Sequence, residues 1–340
     1  MERLLYYENY SSFLYNLFFE NVYNMIQAIL CFCVTFVQTI LLGHLFITYA
    51  GRIMGARARK YTPDSHRAKD DTPTMGGIFV GAALMFSTLC WRLFSFPVFI
   101  IMLSMVLFGT LGGYDDWCKI SRGYGISSGA KFMWQIVCSA FVTILLLHTG
   151  ISSAIVVPFV GWQWNIGPLF FILWGMFVLV GCSNAVNLTD GLDGLAASCL
   201  VPNFLLYSVL AAATDYACAL TSLIIAASVS GFLYFNRYPA RVFMGDIGSL
   251  ALGAGLGCIA LMQKAELCLA ITGIIFVVET MSVMIQVLWY KKYKKKFFKM
   301  APIHHHFELM GYHEKRITLI CALISGISCG VTAIIHVVMR

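Results

Sequence analysis

A chain of 340 residues that is 59% hydrophobic and only 11% charged cannot be a soluble globular protein, in which about a quarter of residues carry charge. The mean hydropathy of +0.80, with apolar runs of membrane-spanning length from end to end, points to an all-α polytopic membrane protein forming one integral-membrane domain over 1–340. The net charge of +7 is explained by loop lysines and arginines and needs no nucleic-acid partner.

In chain order, residues 1–22 are aromatic and acidic (Glu2, Glu8, Glu20) and lack the basic start and cleavage site of a signal peptide. They read as an interfacial lead-in. About ten spans are expected, at 26–50, 75–93, 96–113, 132–150, 168–186, 195–212, 217–235, 247–262, 267–290 and 317–339. This topology puts nineteen of the 23 lysines and arginines on one side, leaving Arg3, Arg92, Lys264 and Arg340 on the other. Basic loops stay cytoplasmic, so both termini are expected outside. Of the twelve cysteines only Cys118 is expected in a loop, and no CxxC pair or disulfide framework is visible. The acidic residues are one-sided too, with Asp64, Asp70, Asp71, Asp115, Asp116, Asp190, Asp193, Asp246, Glu308 and Glu314 all on the basic side. No rule of membrane topology sorts carboxylates this way, so their clustering at span ends suggests a site.

Five segments on that side carry the chemistry. Lys69-Asp70-Asp71-Thr72-Pro73-Thr74-Met75-Gly76-Gly77 opens the second span, with Thr72 as a cap and Pro73 in the first turn. A helix N-terminus beside a lysine suits an anion. Asp115-Asp116 ends the third span; neighbours on a helix point about 100° apart, so one should face the site while the other orients a neighbour. Lys131 and Gln135 follow one turn apart. Asn184, Asn187, Asp190 and Asp193 recur at three-residue steps and should line one helical face, without the spacing of an EF-hand. The alternative there is a merely wet, acidic turn. Asp246 opens a helix of small residues. His304, His305, His306 and Glu308 follow the basic run 291–299, which would hold anionic lipid or phosphate, or simply anchor the chain. Consecutive histidines seldom share one metal, so phosphate or carboxylate binding is the preferred reading. Within the ninth span lies Glu279, with Gln286 on the same face, either as a functional carboxylate or with a buried partner.

Carboxylate and amide oxygens without thiolate indicate a hard cation, and Mg²⁺ prefers few carboxylates, several waters and a substrate phosphate. No Walker A loop, GxSxG elbow or HExxH motif occurs. Phosphoryl transfer at a membrane surface remains.

In order along the chain, Thr72-Pro73-Thr74-Met75-Gly76-Gly77, Asp115-Asp116, Asn187-Leu188-Thr189-Asp190-Gly191-Leu192-Asp193-Gly194, Phe243-Met244-Gly245-Asp246 and Pro302-Ile303-His304-His305-His306-Phe307-Glu308 resemble the signature set of the phospho-N-acetylmuramoyl-pentapeptide transferases. The resemblance implies Mg²⁺-dependent transfer of phospho-N-acetylmuramoyl-pentapeptide from UDP to undecaprenyl phosphate, giving lipid I and UMP for peptidoglycan synthesis, in a bacterial inner membrane and with a homodimer as the assembly. It also implies Asp246 as the Mg²⁺ ligand, Asp115 facing the prenyl phosphate with Asp116 beside it, and Asn187 and Asp190 lining the sugar-nucleotide cleft. Asp193, Lys69 and Phe243 would hold the uracil. Lys119, Lys131, Gln286 and His304, His305 and His306 would complete the phosphate and sugar surroundings. The chain departs from the family pattern at Asp71, usually Gly, at Asp116-Trp117-Cys118-Lys119, usually Asp-Tyr-Leu-Lys, and over 121–128. Two rivals are a polyprenyl-phosphate transferase using a UDP-N-acetylhexosamine without peptide, and a proton-coupled transporter built on Glu279.

Overall fold

The computed structural model describes residues 2–50 and 72–339, with side chains described over 23–49 and 72–339. Lys69, Asp70 and Asp71 lie outside the described residues. Twelve helices and one hairpin follow in order: α1 (Glu2–Ala50), α2 (Gly77–Cys90), α3 (Phe96–Arg122), α4 (Ser128–His148), β1 (Ala154–Val156), β2 (Gln163–Asn165), α5 (Gly167–Thr189), α6 (Leu195–Ala211), α7 (Tyr216–Asn236), α8 (Gly245–Met262), α9 (Glu266–Thr272), α10 (Ile274–Tyr293), α11 (Ile303–Glu308) and α12 (Glu314–Val338). Among the described residues eight helices are long and apolar enough to cross a membrane, and α2 and α6 are shorter apolar helices. The protein is an all-α polytopic membrane protein.

Caps fix several helix starts. Ser95 accepts from Val98 N–H, Ser127 from Ala130 N–H and Asp215 from Cys218 N–H, each satisfying a donor that a first helical turn leaves orphaned. Small residues set the centre: α8 is buried along nearly its whole length and packs between α3 and α5. Hydroxyl pairs join other helices, Thr35 to Ser87 at 2.9 Å and Thr39 to Ser228 at 3.2 Å.

Four expectations about the elements need correction. Helix α3 runs nine residues past 113, to Arg122, where Gly123 (φ 81°) ends it, so Asp115 and Asp116 sit within a helix. Cys118 therefore lies on α3, buried, instead of in a loop. Thr72 and Pro73 do not open α2: neither is helical, and α2 begins only at Gly77 without a side-chain cap. Residues 2–22, where the lead-in is expected, are the first part of α1, which is continuous from Glu2. Finally, the run 267–290 is broken at Gly273 into α9 and α10. The Thr272 and Ile271 carbonyls at the break accept from Asn203 Nδ2 (3.3 Å) and Ser328 Oγ (2.7 Å). Neighbouring helices thus replace the bonds that the break removes, as an apolar surrounding demands.

The β1–β2 hairpin pairs Ile155 with Trp164 and exposes Trp162 and Trp164, a placement typical of a membrane–water boundary. It lies at the end of the bundle that also holds Thr214, the α8–α9 turn and Met339. Asn24, whose carbonyl accepts from Tyr216 Oη at the start of α7, lies toward that end as well. The acidic motifs gather at the other end.

Candidate active site

Three helices bring the carboxylates together. On α3, an added Cβ at Gly112 would overlap the Asp246 carbonyl, so this glycine lets the first turn of α8 lie against α3. Asp116 Oδ2 then accepts from Ile247 N–H at 3.1 Å, capping α8 from a neighbouring helix, where a negative charge is favoured. Asp115 Oδ1 accepts from Ile126 N–H at 2.7 Å and its Oδ2 points inward. Both α3 carboxylates are buried, at 4% and 5% exposure.

Two lysines join them to α8. Lys119 Nζ reaches Asp115 Oδ2 at 2.9 Å, Asp116 Oδ1 at 3.2 Å and Asp246 Oδ2 at 3.0 Å. Lys131 Nζ, from α4, contacts Asp246 Oδ2 at 2.5 Å and Asp115 Oδ2 at 3.4 Å. Each ammonium is therefore shared between the same two carboxylate oxygens. Three carboxylates against two lysines leave an excess of negative charge.

Helix α5 supplies the third wall. Asn187 Nδ2 donates to Asp246 Oδ1 (2.9 Å) and Ser249 Oγ (2.8 Å). Asp190 follows at the helix C-terminus. Burial, then Asp246, Asp116 and Asp193, push its carboxyl up to about 7. The single face expected for Asn184, Asn187, Asp190 and Asp193 is not formed, because α5 stops at Thr189 and the chain turns through Gly191–Gly194. Asn184 instead exchanges hydrogen bonds with Gln135 of α4. Asp193 turns away and is only 2% exposed: its Oδ2 accepts from Ala240 N–H at 2.9 Å, its N–H donates to Glu314 Oε1, and its carbonyl accepts from Thr318 Oγ1. It fastens the turn to the 237–243 loop and to α12.

That loop is held from two more sides. Phe243 N–H donates to the Pro73 carbonyl (2.8 Å), Gly76 N–H to Phe243 (2.8 Å) and Gly77 N–H to Met244 (2.9 Å), so the first and fourth motifs form one backbone clamp. The half-buried Phe243 ring projects from it. Asn236, which sequence reasoning passed over, accepts from Gly194 N–H at 3.1 Å and donates to the Val242 carbonyl at 2.9 Å. Its only signal was an amide at a span end, beside Arg237.

The histidines diverge. His304, 1% exposed, places Nδ1 3.0 Å from Glu279 Oε2, and its buried Nε2 has no hydrogen-bond partner among the described residues. That nitrogen faces Gly191, where an added Cβ would collide with it. Glu279 thus has a buried imidazole partner, the reading weighed against a lone functional carboxylate. His305 pairs with Glu308 at 2.6 Å, and His306 Nδ1 accepts from Lys299 N–H at 3.1 Å. Gln286 is drawn from the phosphate surroundings expected for it: Oε1 accepts from Phe297 and Phe298 N–H, and Nε2 donates to the Phe298 carbonyl. It closes the basic loop back onto α10.

The donor set suits a hard cation at Asp246 Oδ2, the oxygen on which both ammonium groups converge. Among the described residues no three His, Cys, Asp or Glu groups meet as a metal cage. A closed structural zinc site does not fit, whereas an ion needing one or two carboxylates beside a substrate phosphate does.

A family model described as glycosyl transferase family 4 matches residues 98–264. The chain is 40% identical over 299 residues to the phospho-N-acetylmuramoyl-pentapeptide-transferase of Halalkalibacterium halodurans, covering 86% of this chain and 92% of that protein. It is 41% identical over 303 residues to the protein of that name from Geobacillus kaustophilus (86% and 93% covered). For that of Desulfotalea psychrophila the identity is 38% over 330 residues, with 90% of each covered.

Proposed function

Because the chain belongs to the phospho-N-acetylmuramoyl-pentapeptide-transferase family, we propose that it transfers phospho-N-acetylmuramoyl-pentapeptide from UDP to undecaprenyl phosphate, releasing UMP and forming lipid I for peptidoglycan synthesis. The observation that carries this reading is the pair of lysines shared between Asp115 and Asp246 across three helices. Phosphoryl transfer demands positioning and charge neutralisation more than covalent chemistry, and such a cluster supplies both. The one-sided lysines and arginines support a cytoplasmic-facing cleft in a bacterial inner membrane, with both termini outside.

Asp246 is the residue to hold Mg²⁺, and when bound the ion neutralises the diphosphate. Lys119 and Lys131 can swing from carboxylate to phosphate oxygens, since each already has more than one partner. Asp115 places the acceptor. A phosphate monoester, with a second pKa of about 6, is largely dianionic near neutral pH and hardly needs a base. One acceptor oxygen attacks the β-phosphorus in line, the P–O bond to the α-phosphate breaks, and UMP leaves without a proton changing hands. Asn187, Asp190 and Phe243 are assigned to the sugar nucleotide, and His304 with His305 and His306 to its sugar side. Lys69 is assigned to the uracil. Asp193 acts there through the loop it fastens.

The test is UMP release by the purified protein, with and without prenyl phosphate and Mg²⁺, and mass spectrometry of the lipid product. Release only with both supports the reading. A lipid product from a UDP-N-acetylhexosamine without peptide would replace it. A phosphorylated Asp115 trapped from UDP-sugar without acceptor would replace the single displacement by two steps.

A further inference from the structure

Away from the carboxylate cleft but at the same end of the bundle, a cavity of about 750 Å³ opens between α6, α7 and α12. Arg237, Arg241 and Lys315 line its upper part, and Leu233, Leu319 and Ala322 its floor. Two guanidinium groups lie over the Tyr234 ring, with Arg237 Cζ 5.3 Å and Arg241 Cζ 5.0 Å from its centroid. A ring orients a guanidinium without cancelling its charge, and arginine stays protonated at any ordinary pH. None of the three basic groups forms an ion pair among the described residues, although Asp193 also borders the cavity; its Oδ2 is turned onto Ala240 N–H. Three cations lining one cavity attract an anion to it.

The floor tells what kind of anion. Leu319 is 57% exposed, and Leu323 and Ile327 continue the same exposed stripe of α12 at four-residue steps. In a membrane-spanning helix such a stripe faces acyl chains. A phosphate at the mouth with hydrocarbon running down α12 would satisfy both halves of the cavity, and basic pockets between spans recognise lipid headgroups in this way. We propose that the α6–α7–α12 cavity is a binding site for one anionic phospholipid, whose phosphate is held by Arg237, Arg241 and Lys315. The site borders the nucleotide surroundings proposed above at Asp193, while Arg237, Arg241 and Lys315 have no role in the reaction assigned there.

The experiment is native mass spectrometry of the full chain purified from a phosphatidylethanolamine and phosphatidylglycerol mixture, counting lipids that survive stepwise delipidation. The wild-type chain should retain one phosphatidylglycerol in preference to phosphatidylethanolamine. Arg237→Gln/Arg241→Gln/Lys315→Gln should weaken that retention by about a hundredfold, each basic group near the headgroup contributing roughly fivefold. Lys291→Gln/Lys292→Gln/Lys295→Gln removes as much charge from the run 291–299, whose own hold on anionic lipid is exposed and weaker, and should leave the most tightly retained lipid in place. Equal losses in the two triple variants would reduce the effect to general surface charge and overturn the proposal. Unchanged retention in the first would do the same. Inorganic phosphate bound as tightly as the lipid would remove the acyl-chain half of the site. Should the first triple variant not fold, Arg237→Gln and Lys315→Gln are read singly, each expected to lose roughly fivefold and overturning the proposal if neither does.

Discussion

At the cleft end, Lys119 and Lys131 each bridge two or three carboxylates, and Asp115, Asp116 and Asp246 each have more than one basic or N–H partner. At the hairpin end, Lys264 lies over the Phe171 ring at 4.0 Å and Glu266 accepts from Trp174 Nε1 at 3.2 Å. The residue types are the same, and their neighbours differ. Shared partners can be exchanged when an anion or cation arrives, so the cleft resembles a charge-transfer relay held ready. A cation over a ring and a carboxylate on an indole have nothing to exchange, and they hold the α8–α9 turn against α5. Burial does not separate the two ends; shared partners set Asp115, Asp116 and Asp246 apart from Lys264 and Glu266.

The strongest way to break the contrast is Asp246→Asn. UMP release should fall by about a thousandfold with the melting temperature nearly unchanged, because the neutral amide keeps the shape but not the charge. Near-normal turnover across Mg²⁺ concentrations would refute the assignment of Asp246. Next is Lys131→Met, which leaves Asp115 and Asp246 with one shared ammonium; a loss of about a hundredfold in kcat/KM is expected, measured beside Lys264→Met, which should leave the rate alone. Equal effects of the two lysines would erase the difference between the ends.

Glu279→Gln tests the other wall. Loss of the carboxylate that orients His304 should slow UMP release by about tenfold and cost about 2 kcal/mol of stability. Full activity would mean the imidazole is placed by its burial alone, and proton flux in proteoliposomes abolished by this change would revive a transporter.

The smallest effect sharpens the comparison through pH. The folded protein keeps a proton on Asp190 up to about 7, whereas the unfolded chain releases it near 4, so stability falls as pH rises between those values. Burial lowers the Lys264 ammonium to about 8 against an ordinary 10.5, with Glu266 opposing, so there the unfolded chain holds its proton longer and stability rises with pH across that window. Melting curves of Asp190→Asn should lose only the first slope, and those of Lys264→Met only the second. A variant that flattens the wrong limb would reassign the titrating group.

Most of the fold was legible because each span is an apolar run of bilayer length. The exceptions share a cause, which is that hydropathy reports burial and not hydrogen bonding. Nothing in the composition of 267–290 marks the break at Gly273, whose freed carbonyls are answered by Asn203 and Ser328 from far along the chain. The hairpin is two strands of three residues, too short for an alternating pattern to register. Two errors had a readable warning. Gly123 after Lys119 and Arg122 announced the true end of α3, and Gly191 with Gly194 announced that α5 had stopped before Asp193. The residues at the site were legible as a set, since carboxylates beside hydrocarbon stand out. Their partners were not: which oxygen of Asp246 meets a lysine and which meets Asn187 depends on helix rotation, and rotation leaves no trace in spacing.

The clamp between Thr72–Gly77 and Phe243–Met244 is made of main-chain bonds alone. Outside Gly76 and Gly77, which are packed too closely to take a Cβ, such bonds do not read side chains, so sequence drift can repaint the cleft on both sides of this seam while its two edges stay in register. Resistance to a ligand lodged there would then arise by changing what projects from the seam. A proline at Gly76, Gly77 or Phe243 would unstitch it by deleting a donor, and any side chain at Gly76 or Gly77 would force it apart by meeting the Phe243 carbonyl or the Gly248 backbone.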